Sequence, residues 1–306
     1  MRRVMRVFSV AFALGLALPS YGAVLVSNVW NTGVRTYPAS PTYSEMGVDS
    51  NSSGDLESAW FRGGNGALIP SAGHLLITNF TAASHTLTTY FTSEGSEVNL
   101  ADPGDMLKVT WVFTPSGILS NNNSGSGLRL CVVDSPSAAR IAADATPGAA
   151  IYTGYGMFMN MGFQLSNATP FQLMERATTS QNLLSSSAGW SFLTNNAVLG
   201  TTGYANGTTY TYTMTLTRNG SGGLDVVSTM AGGSIGGTGS ITDTYTDSTP
   251  SGFLYDTFAI RPSDANSSAA QFDTTLFQVE FIPEPSTFVL VAAGLGLMIG
   301  AIRRRR

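Results

Sequence analysis

Apolar and polar residues alternate along several segments of the chain, most regularly over residues 209–217. There Tyr210, Tyr212, Met214 and Leu216 share one face, and threonines occupy every position of the other face. A period of two with β-branched residues on the polar side predicts a β-strand that is buried on one face only.

A turn and a second alternating segment extend this pattern. Asn219 and Gly220 lie in a glycine-rich turn, and residues 224–230 follow it as the candidate partner strand. This order predicts an antiparallel hairpin. Residues 107–113 alternate in the same way and place Trp111 on the apolar face, which predicts a core position for this side chain.

Further segments have the same strand character: residues 24–29, 75–80, 86–91, 128–133, 156–165, 171–176, 253–261 and 272–281. Long helical periodicity is missing, and only residues 136–145 and 181–187 have the composition of short helices. We therefore predict an all-β fold class, a two-sheet antiparallel sandwich that forms a single domain over residues 23–282.

The first 22 residues predict a secretory signal peptide with a signal helix. Three arginines within the first six residues precede residues 7–18, which carry no charge, and Ser20 and Gly22 supply small side chains. Cleavage is then expected after Gly22. The Sec translocon and signal peptidase are the implied partners. The alternative, a core helix at the N-terminus, does not explain the purely cationic flank.

Residues 283–306 combine three physically distinct parts. Pro283, Glu284 and Pro285 come first, and residues 288–302 follow without a charge. The segment ends on Arg303, Arg304, Arg305 and Arg306. Fifteen residues of helix span about 22 Å, so snorkelling of the first arginine must help a transmembrane helix reach across the bilayer. The arginines should stay cytoplasmic, which places the preceding domain outside.

This arrangement resembles the tripartite PEP-CTERM sorting signal of Gram-negative bacteria. The resemblance implies export through the Sec route, transient anchoring in the inner membrane, and cleavage near Pro-Glu-Pro by an exosortase. It also implies a cell-surface or extracellular location after processing, and an association with exopolysaccharide in a biofilm or floc matrix. An ordinary tail anchor is the alternative, but it needs neither the Pro-Glu-Pro motif nor an N-terminal signal.

Charge is scarce and unevenly distributed. Charged residues make up 11% of the chain, whereas serine and threonine number 35 each. Residues 23–282 hold eight basic and eighteen acidic residues, a net charge of −10. Such a domain repels phosphate backbones, which excludes nucleic acid as its main partner.

The size and strand content of residues 23–282 resemble the concanavalin-A-like jelly roll, the fold of legume lectins, laminin-G modules and several glycanases. The closing strand, with Phe277, Val279 and Phe281 on one face, is similar to the last strand of such modules. The resemblance implies a lectin-like polysaccharide-binding module as an alternative to a purely structural matrix protein. A secreted glycoside hydrolase is a third alternative.

Polar residues near two neighbouring predicted strands could face a glycan. Phe158, Asn160 and Gln164 share one face of residues 156–165, and Arg176 ends the next strand. Amides, an arginine and an aromatic ring on an exposed sheet face would suit sugar hydroxyls and ring faces. The alternative is that Phe158 packs under a loop.

Catalytic motifs are missing from the sequence. The Glu-x-Asp-x-x-Glu motif of laminarinase-like glycanases does not occur, and the acidic pairs Glu94/Glu97 and Asp102/Asp105 have the surroundings of solvated turns. We therefore predict no catalytic residues and no enzymatic activity.

Metal-binding and nucleophilic candidates are also few. Two histidines and the single cysteine cannot complete a closed zinc site. We expect Cys131 to be a small half-buried hydrophobe, and His74 and His85 to lie in surface turns. No cofactor is predicted, although calcium would suit oxygen ligands on loops at Asp243, Asp247 or Asp102.

Overall fold

Two large antiparallel sheets contain all but two of the strands in the part of the chain that the structure describes. The computed structural model describes residues 22–79, 85–176 and 179–284. In this part of the chain the strands are β1 (Ala23–Asn28), β2 (Trp60–Gly64), β3 (Ala67–Ser71), β4 (His74–Thr78), β5 (His85–Tyr90), β6 (Val98–Asn99), β7 (Met106–Ser116), β8 (Leu128–Asp134), β9 (Thr153–Met159), β10 (Phe171–Arg176), β11 (Trp190–Asn195), β12 (Tyr210–Arg218), β13 (Leu224–Ala231), β14 (Ser240–Asp247), β15 (Leu254–Tyr255), β16 (Thr257–Pro262) and β17 (Gln271–Ile282).

The strands form an eight-stranded and a seven-stranded sheet. The first has the order β14-β13-β12-β7-β17-β4-β3, with β1 also paired to β17, and the second has the order β11-β10-β9-β8-β16-β5-β2. A two-stranded sheet of β15 and β6 completes the set. The predicted all-β class with two antiparallel sheets is confirmed, and Gly22–Pro283 forms one compact unit.

The calls on the two ends fall mostly outside the described residues. The signal peptide was predicted over residues 1–22, of which only Gly22 is described, and the predicted transmembrane helix and terminal arginines lie in residues 285–306. Among the residues that the structure does describe, no helix is both long and apolar enough to cross a membrane.

Aromatic side chains from both sheets meet in the core. The Trp60 ring packs edge-on against Phe277 with ring centroids 5.2 Å apart, and Phe258 stacks on Phe277 at 5.0 Å. Trp111 is fully buried, as its alternation predicts, and stacks on Phe113. Burial of these large rings supplies much of the apolar area that holds the two sheets together.

A β-bulge in β17 changes which residues face the core. The register with β7 shifts between Thr274 and Leu276. Phe272 and Thr274 are buried before the bulge, whereas Phe277 and Val279 are buried after it. The extra residue thus lets both halves of one strand present apolar side chains to the same core.

The outer face of the seven-stranded sheet is covered by chain segments. Phe158, Cys131 and Met174 lie on this face and form a second buried cluster, in which Leu183 and Leu184 also take part. The segment that carries these leucines, like residues 136–145, was predicted to be a short helix. Within residues 136–145, only Ser137–Ala139 forms a helical segment, which is a single 3-10 turn. Residues 181–187 form no helix.

Other boundaries differ from the sequence prediction. The strand predicted over residues 156–165 ends at Met159, because the chain then turns. β2, β3, β6, β11 and β14 were not predicted. The β2 sequence contains two glycines, and the β14 sequence is rich in threonine and aspartate, so that neither shows an apolar alternation.

Candidate functional site

The last strand leads directly into the predicted sorting motif. β17 ends at Ile282, which pairs with Met106 of β7. Pro283 is half-buried and Glu284 is exposed. Pro285 and the four arginines lie beyond the described residues. The motif therefore begins where hydrogen bonding in the sheet stops.

The predicted signal-peptidase site lies beside the end of this strand. Ala23 pairs with Phe281 across the β1–β17 ladder. A Cβ atom placed on Gly22 would lie 2.7 Å from Cγ1 of Ile282, so that the two segments are in close contact. Both predicted processing sites thus flank one end of the same pair of strands.

The predicted glycan-binding residues do not form an exposed face. Phe158, Asn160 and Arg176 are at most 2% exposed, so the expectation that they lie on an open sheet face is wrong. The Phe158 ring packs against Trp190, with centroids 5.5 Å apart, and under the Arg129 guanidinium at 4.8 Å. This is the alternative in which Phe158 packs under a loop.

The polar atoms of these residues are engaged inside the domain. Asn160 accepts a hydrogen bond from the backbone N–H of Ser166 at 2.8 Å, and Arg176 donates to the carbonyl of Gln181 at 2.7 Å. Gln164 is exposed and bridges to Thr202 in another segment. Hydrogen bonds to backbone atoms hold the covering segments in place, which is a structural role.

A surface cavity lies elsewhere, beside an ion pair that sequence reasoning missed. Its volume is about 350 Å³, and Arg35, Ser40, Phe61 and Asp144 are among its lining residues. Arg35 donates two hydrogen bonds of 2.7 Å to the Asp144 carboxylate. These two residues are 109 positions apart, and no local pattern links them.

Further hydrogen bonds hold the side chains of Arg35 and Asp144 in position. Arg35 also donates to the carbonyl of Trp60 at 3.0 Å, and the backbone N–H of Arg62 donates to Asp144 at 3.0 Å. The hydrogen bonds from Arg35 hold the pKa of Asp144 below its ordinary value. The pocket therefore presents a fixed carboxylate and guanidinium next to small apolar side chains, an arrangement that can hydrogen-bond a polar ligand.

Asp102 is exposed in a loop as expected, whereas the two other aspartates considered for calcium are in different environments from those expected. Asp243 and Asp247 lie on β14, not in a loop, and both are buried. Asp243 accepts a hydrogen bond from the N–H of Asn196 at 2.6 Å, and Asp247 accepts one from the Tyr155 hydroxyl at 2.7 Å. Their spacing does place them on one strand face, but each is engaged within the domain.

Another acidic group comes together through the fold. In the described residues, Glu97, Asp134 and Asp256 bring their carboxylate oxygens within 4.8 Å of one another. Arg140 supplies a positive charge there, with its guanidinium 2.8 Å from Asp256. Burial raises the pKa of Asp134 to about 6, and the charge of Glu97 adds to the rise.

This acidic group does not have the layout of a glycosidase site. Asp256 is fully buried, and it also accepts hydrogen bonds from the Ser135 N–H and the Thr257 hydroxyl. Neither the cavity at Arg35 nor a smaller cavity at Asn196 is lined by these carboxylates. A pair of glycosidase carboxylates must flank a space that admits the sugar, and these two cavities lie elsewhere.

In the part of the chain that the structure describes, no hydrogen bond joins the Cys131 thiol to a histidine. Cys131 is fully buried rather than half-buried as expected, and burial raises the pKa of its thiol. His74 is exposed and lies 2.9 Å from Asp273. The prediction that His85 lies in a surface turn is wrong. His85 is buried at the start of β5, and burial lowers its pKa to about 4.

Solved structures similar to this chain include lectin-type sandwiches. The potassium-bound carbohydrate recognition domain of Emp46p is 10% identical, with a TM-score of 0.43 over 72% of this chain and 87% of that chain. Arcelin-5, a lectin-like defense protein from Phaseolus vulgaris, is 9% identical, with a TM-score of 0.43 over 74% of this chain and 93% of its own. At these TM-scores we draw no conclusion about ligands or function from the likeness.

The comparison with protein families concerns the C-terminus. No curated protein sequence matches the chain. Residues 281–306 match the family model of the PEP-CTERM protein-sorting motif, which confirms the resemblance seen in the sequence. The chain therefore carries a PEP-CTERM protein-sorting motif, which implies an exported protein that an exosortase sorts.

Proposed function

We propose that this chain is an exosortase-sorted surface or extracellular-matrix protein whose β-sandwich is non-catalytic and associates with exopolysaccharide. The observation that carries the proposal is the PEP-CTERM match at residues 281–306, which begins inside the last strand of the folded unit. A folded module that ends directly on its sorting motif can be cut free as an intact unit.

The order of events follows from the physical properties of the two ends. The Sec translocon exports the chain, and signal peptidase removes residues 1–22. Residues 288–302 then hold the protein in the inner membrane with the sandwich outside, because the four arginines resist translocation. Processing releases the sandwich to the cell surface or the extracellular matrix.

The Pro-Glu-Pro segment is suited to a peptidase cleft. Each proline lacks a backbone N–H and disfavours the helical conformation of the residue before it. The segment after Ile282 should therefore stay extended, and the exposed Glu284 adds a charge for recognition. An extended, charged strip between a stable sheet and a membrane anchor is what an exosortase would bind.

The test is processing in a host that has its exosortase. Alanine at Pro283, Glu284 and Pro285 should leave the protein longer and membrane-bound, whereas the wild type appears shorter and outside the cell. A matched control replaces Thr249, Pro250 and Ser251, a surface turn in the same domain, and should be processed normally. Equal processing of wild type and the Pro-Glu-Pro variant contradicts the proposal.

The non-catalytic assignment is supported by the surroundings of the acidic residues. Asp256 is bound to Arg140, and Asp243 and Asp247 are buried in the sheet. The test is to incubate purified protein with common β-glucans and measure reducing ends. Release of reducing ends that is lost on replacement of an acidic residue would establish a hydrolase instead.

A second candidate function is lectin-like binding in the cavity beside Arg35. The favouring observation is the cavity of about 350 Å³ in which the Arg35–Asp144 pair offers both donors and acceptors. Ala143→Trp should fill this cavity and abolish binding on a glycan array. Ala145→Trp, at an exposed position outside the lining, is the control. Glycan binding that survives Ala143→Trp excludes the cavity as the site.

A further inference from the structure

The outer face of the eight-stranded sheet carries rows of hydroxyl groups. In one row, residues on six adjacent strands are register partners: Thr242, Thr229, Thr213, Thr110, Gln278 and Ser27. Neighbouring strands lie about 4.8 Å apart, so this row spans about 24 Å. Such a row is long compared with a single sugar ring and follows the twist of the sheet.

Other hydroxyl side chains extend this row along the strands. Because side chains two residues apart share a face, β12 and β14 add threonines above and below it. We define the threonine face as the row above together with Thr211, Thr215, Thr217 and Thr244. The polar groups are continuous along the row and along β12, whereas Val227 is the register partner of Thr215 on β13 and Val112 that of Thr211 on β7.

The hydroxyls of the threonine face are available for a ligand. Its members are half-buried or exposed, unlike the covered outer face of the other sheet. Thr229 and Thr242 share a hydrogen bond of 3.0 Å. The hydroxyls of Thr110, Thr213 and Thr215 make no hydrogen bond in the part of the chain that the structure describes. Each of them can donate one hydrogen bond and accept others.

The face is close to neutral although the domain is acidic. Lys108 and Glu280 lie next to the row and neutralise each other, with Nζ and Oε2 2.9 Å apart. Asp225 accepts a hydrogen bond from Thr246 at its edge. The rest of residues 23–282 has a large excess of acidic groups, which repels polyanions. The complementary ligand is therefore an uncharged polymer that offers many hydroxyls.

We propose that the threonine face binds an extended neutral polysaccharide, through hydrogen bonds exchanged between the threonine hydroxyls and those of the polymer. This inference rests on the proposed association with exopolysaccharide and names the class of polymer and the surface. Individual hydrogen bonds of this type contribute little, and many of them along one polymer chain add up. The surface is distinct from the cavity beside Arg35.

Threonine and valine have the same branched shape, so valine substitution removes only the hydroxyls. The full-length protein, solubilised in detergent, is run by affinity electrophoresis in gels that contain a neutral β-glucan or the acidic polymer alginate. The triple variant Thr110→Val/Thr213→Val/Thr229→Val should bind the neutral polymer about tenfold more weakly or worse. The triple serine variant at the same positions keeps the hydroxyls and should retain binding.

Three outcomes would overturn the inference. These are neutral-polymer binding by the valine variant at wild-type strength, preferential binding of wild type to alginate, and self-association of wild type that the valine substitutions abolish. Processing at Pro-Glu-Pro is measured on the same variants and should be unchanged. If the wild type is not processed at Pro-Glu-Pro, the proposed sorting function is contradicted. That result would not test whether the threonine face binds polysaccharide.

Discussion

Ala23 and Phe281 are register partners in the antiparallel ladder between the first and last strands. The chain therefore enters the eight-stranded sheet beside the point where it leaves. Because β17 also pairs with β7 along its full length, β1 completes the second side of β17 just before the sorting motif. Stability of this corner should depend on the first strand.

Truncating a core residue of β1 should weaken the domain measurably. Val26 is fully buried in the inter-sheet core and pairs with Val279. We expect Val26→Ala to lower the free energy of unfolding by about 1 to 3 kcal/mol, because it removes buried methyl groups and leaves a cavity. Urea denaturation followed by tryptophan fluorescence measures the change.

The matched control for this strand is an exposed valine. Val48→Ala, at a residue that is 68% exposed, should change the free energy of unfolding by less than about 0.5 kcal/mol. Equal effects of the two substitutions would show that β1 does not pack as described.

Asp243 should make the domain less stable at neutral than at mildly acidic pH. It is fully buried, and one carboxylate oxygen makes no hydrogen bond to any residue that the structure describes. Burial raises its pKa from 3.8 to about 6. Since the folded-state pKa is the higher one, this group favours folding below about pH 4, and the contribution is lost as pH rises to about 6.

Asp243→Asn should remove that pH dependence. Asparagine keeps the acceptor for the Asn196 N–H without a buried charge. We expect the free energy of unfolding at pH 7 to rise by about 1 to 2 kcal/mol, with a flatter profile between pH 4 and 6. Urea titrations across this range provide the measurement. Asp102→Asn, at an exposed residue, should leave the profile unchanged, and a variant less stable than wild type at pH 7 would contradict the expectation.

Gly63 should tolerate no side chain because Thr146 lies on it. A Cβ atom placed there would lie 2.5 Å from the Thr146 Cα and 2.7 Å from its backbone nitrogen. Gly63→Ala should therefore displace residues 142–147, cost about 1 to 3 kcal/mol, and increase proteolytic cleavage in this segment. Limited proteolysis with mass spectrometry detects the change.

Gly148 offers a control in the same region. No atom of the described residues lies within 4 Å of a Cβ atom placed there, so Gly148→Ala should be neutral. If the protease cleaves the Gly63→Ala variant no faster than the Gly148→Ala variant, the contact between Gly63 and Thr146 is not formed in solution.

Cys131 should be unreactive in the native protein. It lies in the buried cluster under residues 183 and 184, and burial raises the pKa of its thiol. The thiolate is the reactive form, so a thiol reagent such as DTNB should label it only after denaturation. Rapid stoichiometric labelling of the folded protein would contradict the described packing.

Strands with regular alternation could be predicted closely from the sequence. Residues 209–217 were predicted as a strand, and β12 spans Tyr210–Arg218. Trp111 was assigned to the core because it shares the apolar face of residues 107–113, and it is fully buried. In both cases one face of the strand contacts an apolar core and the other contacts water. Apolar and polar residues therefore alternate with a period of two, and this alternation can be recognised in the sequence.

Strands without that contrast were missed. β14 reads as a turn because it contains Asp243 and Asp247, yet both aspartates face inward and are buried. A related difficulty occurs in β17. Its bulge after Thr274 changes which alternate positions face the core within one strand. Such features depend on partners from distant parts of the chain, which local periodicity does not contain.

The sequence by itself determined the all-β class, the tyrosine–threonine alternation of β12, and the sorting motif at residues 281–306, because each depends on the order of nearby residues. Only the tertiary structure decided that Phe158 and Arg176 are covered and that the threonines of the other sheet stay open. Alternation distinguishes two faces of a strand but does not say which face a third layer of chain will bury. That choice was made by segments such as residues 181–184, whose backbone carbonyls accept hydrogen bonds from Arg129 and Arg176.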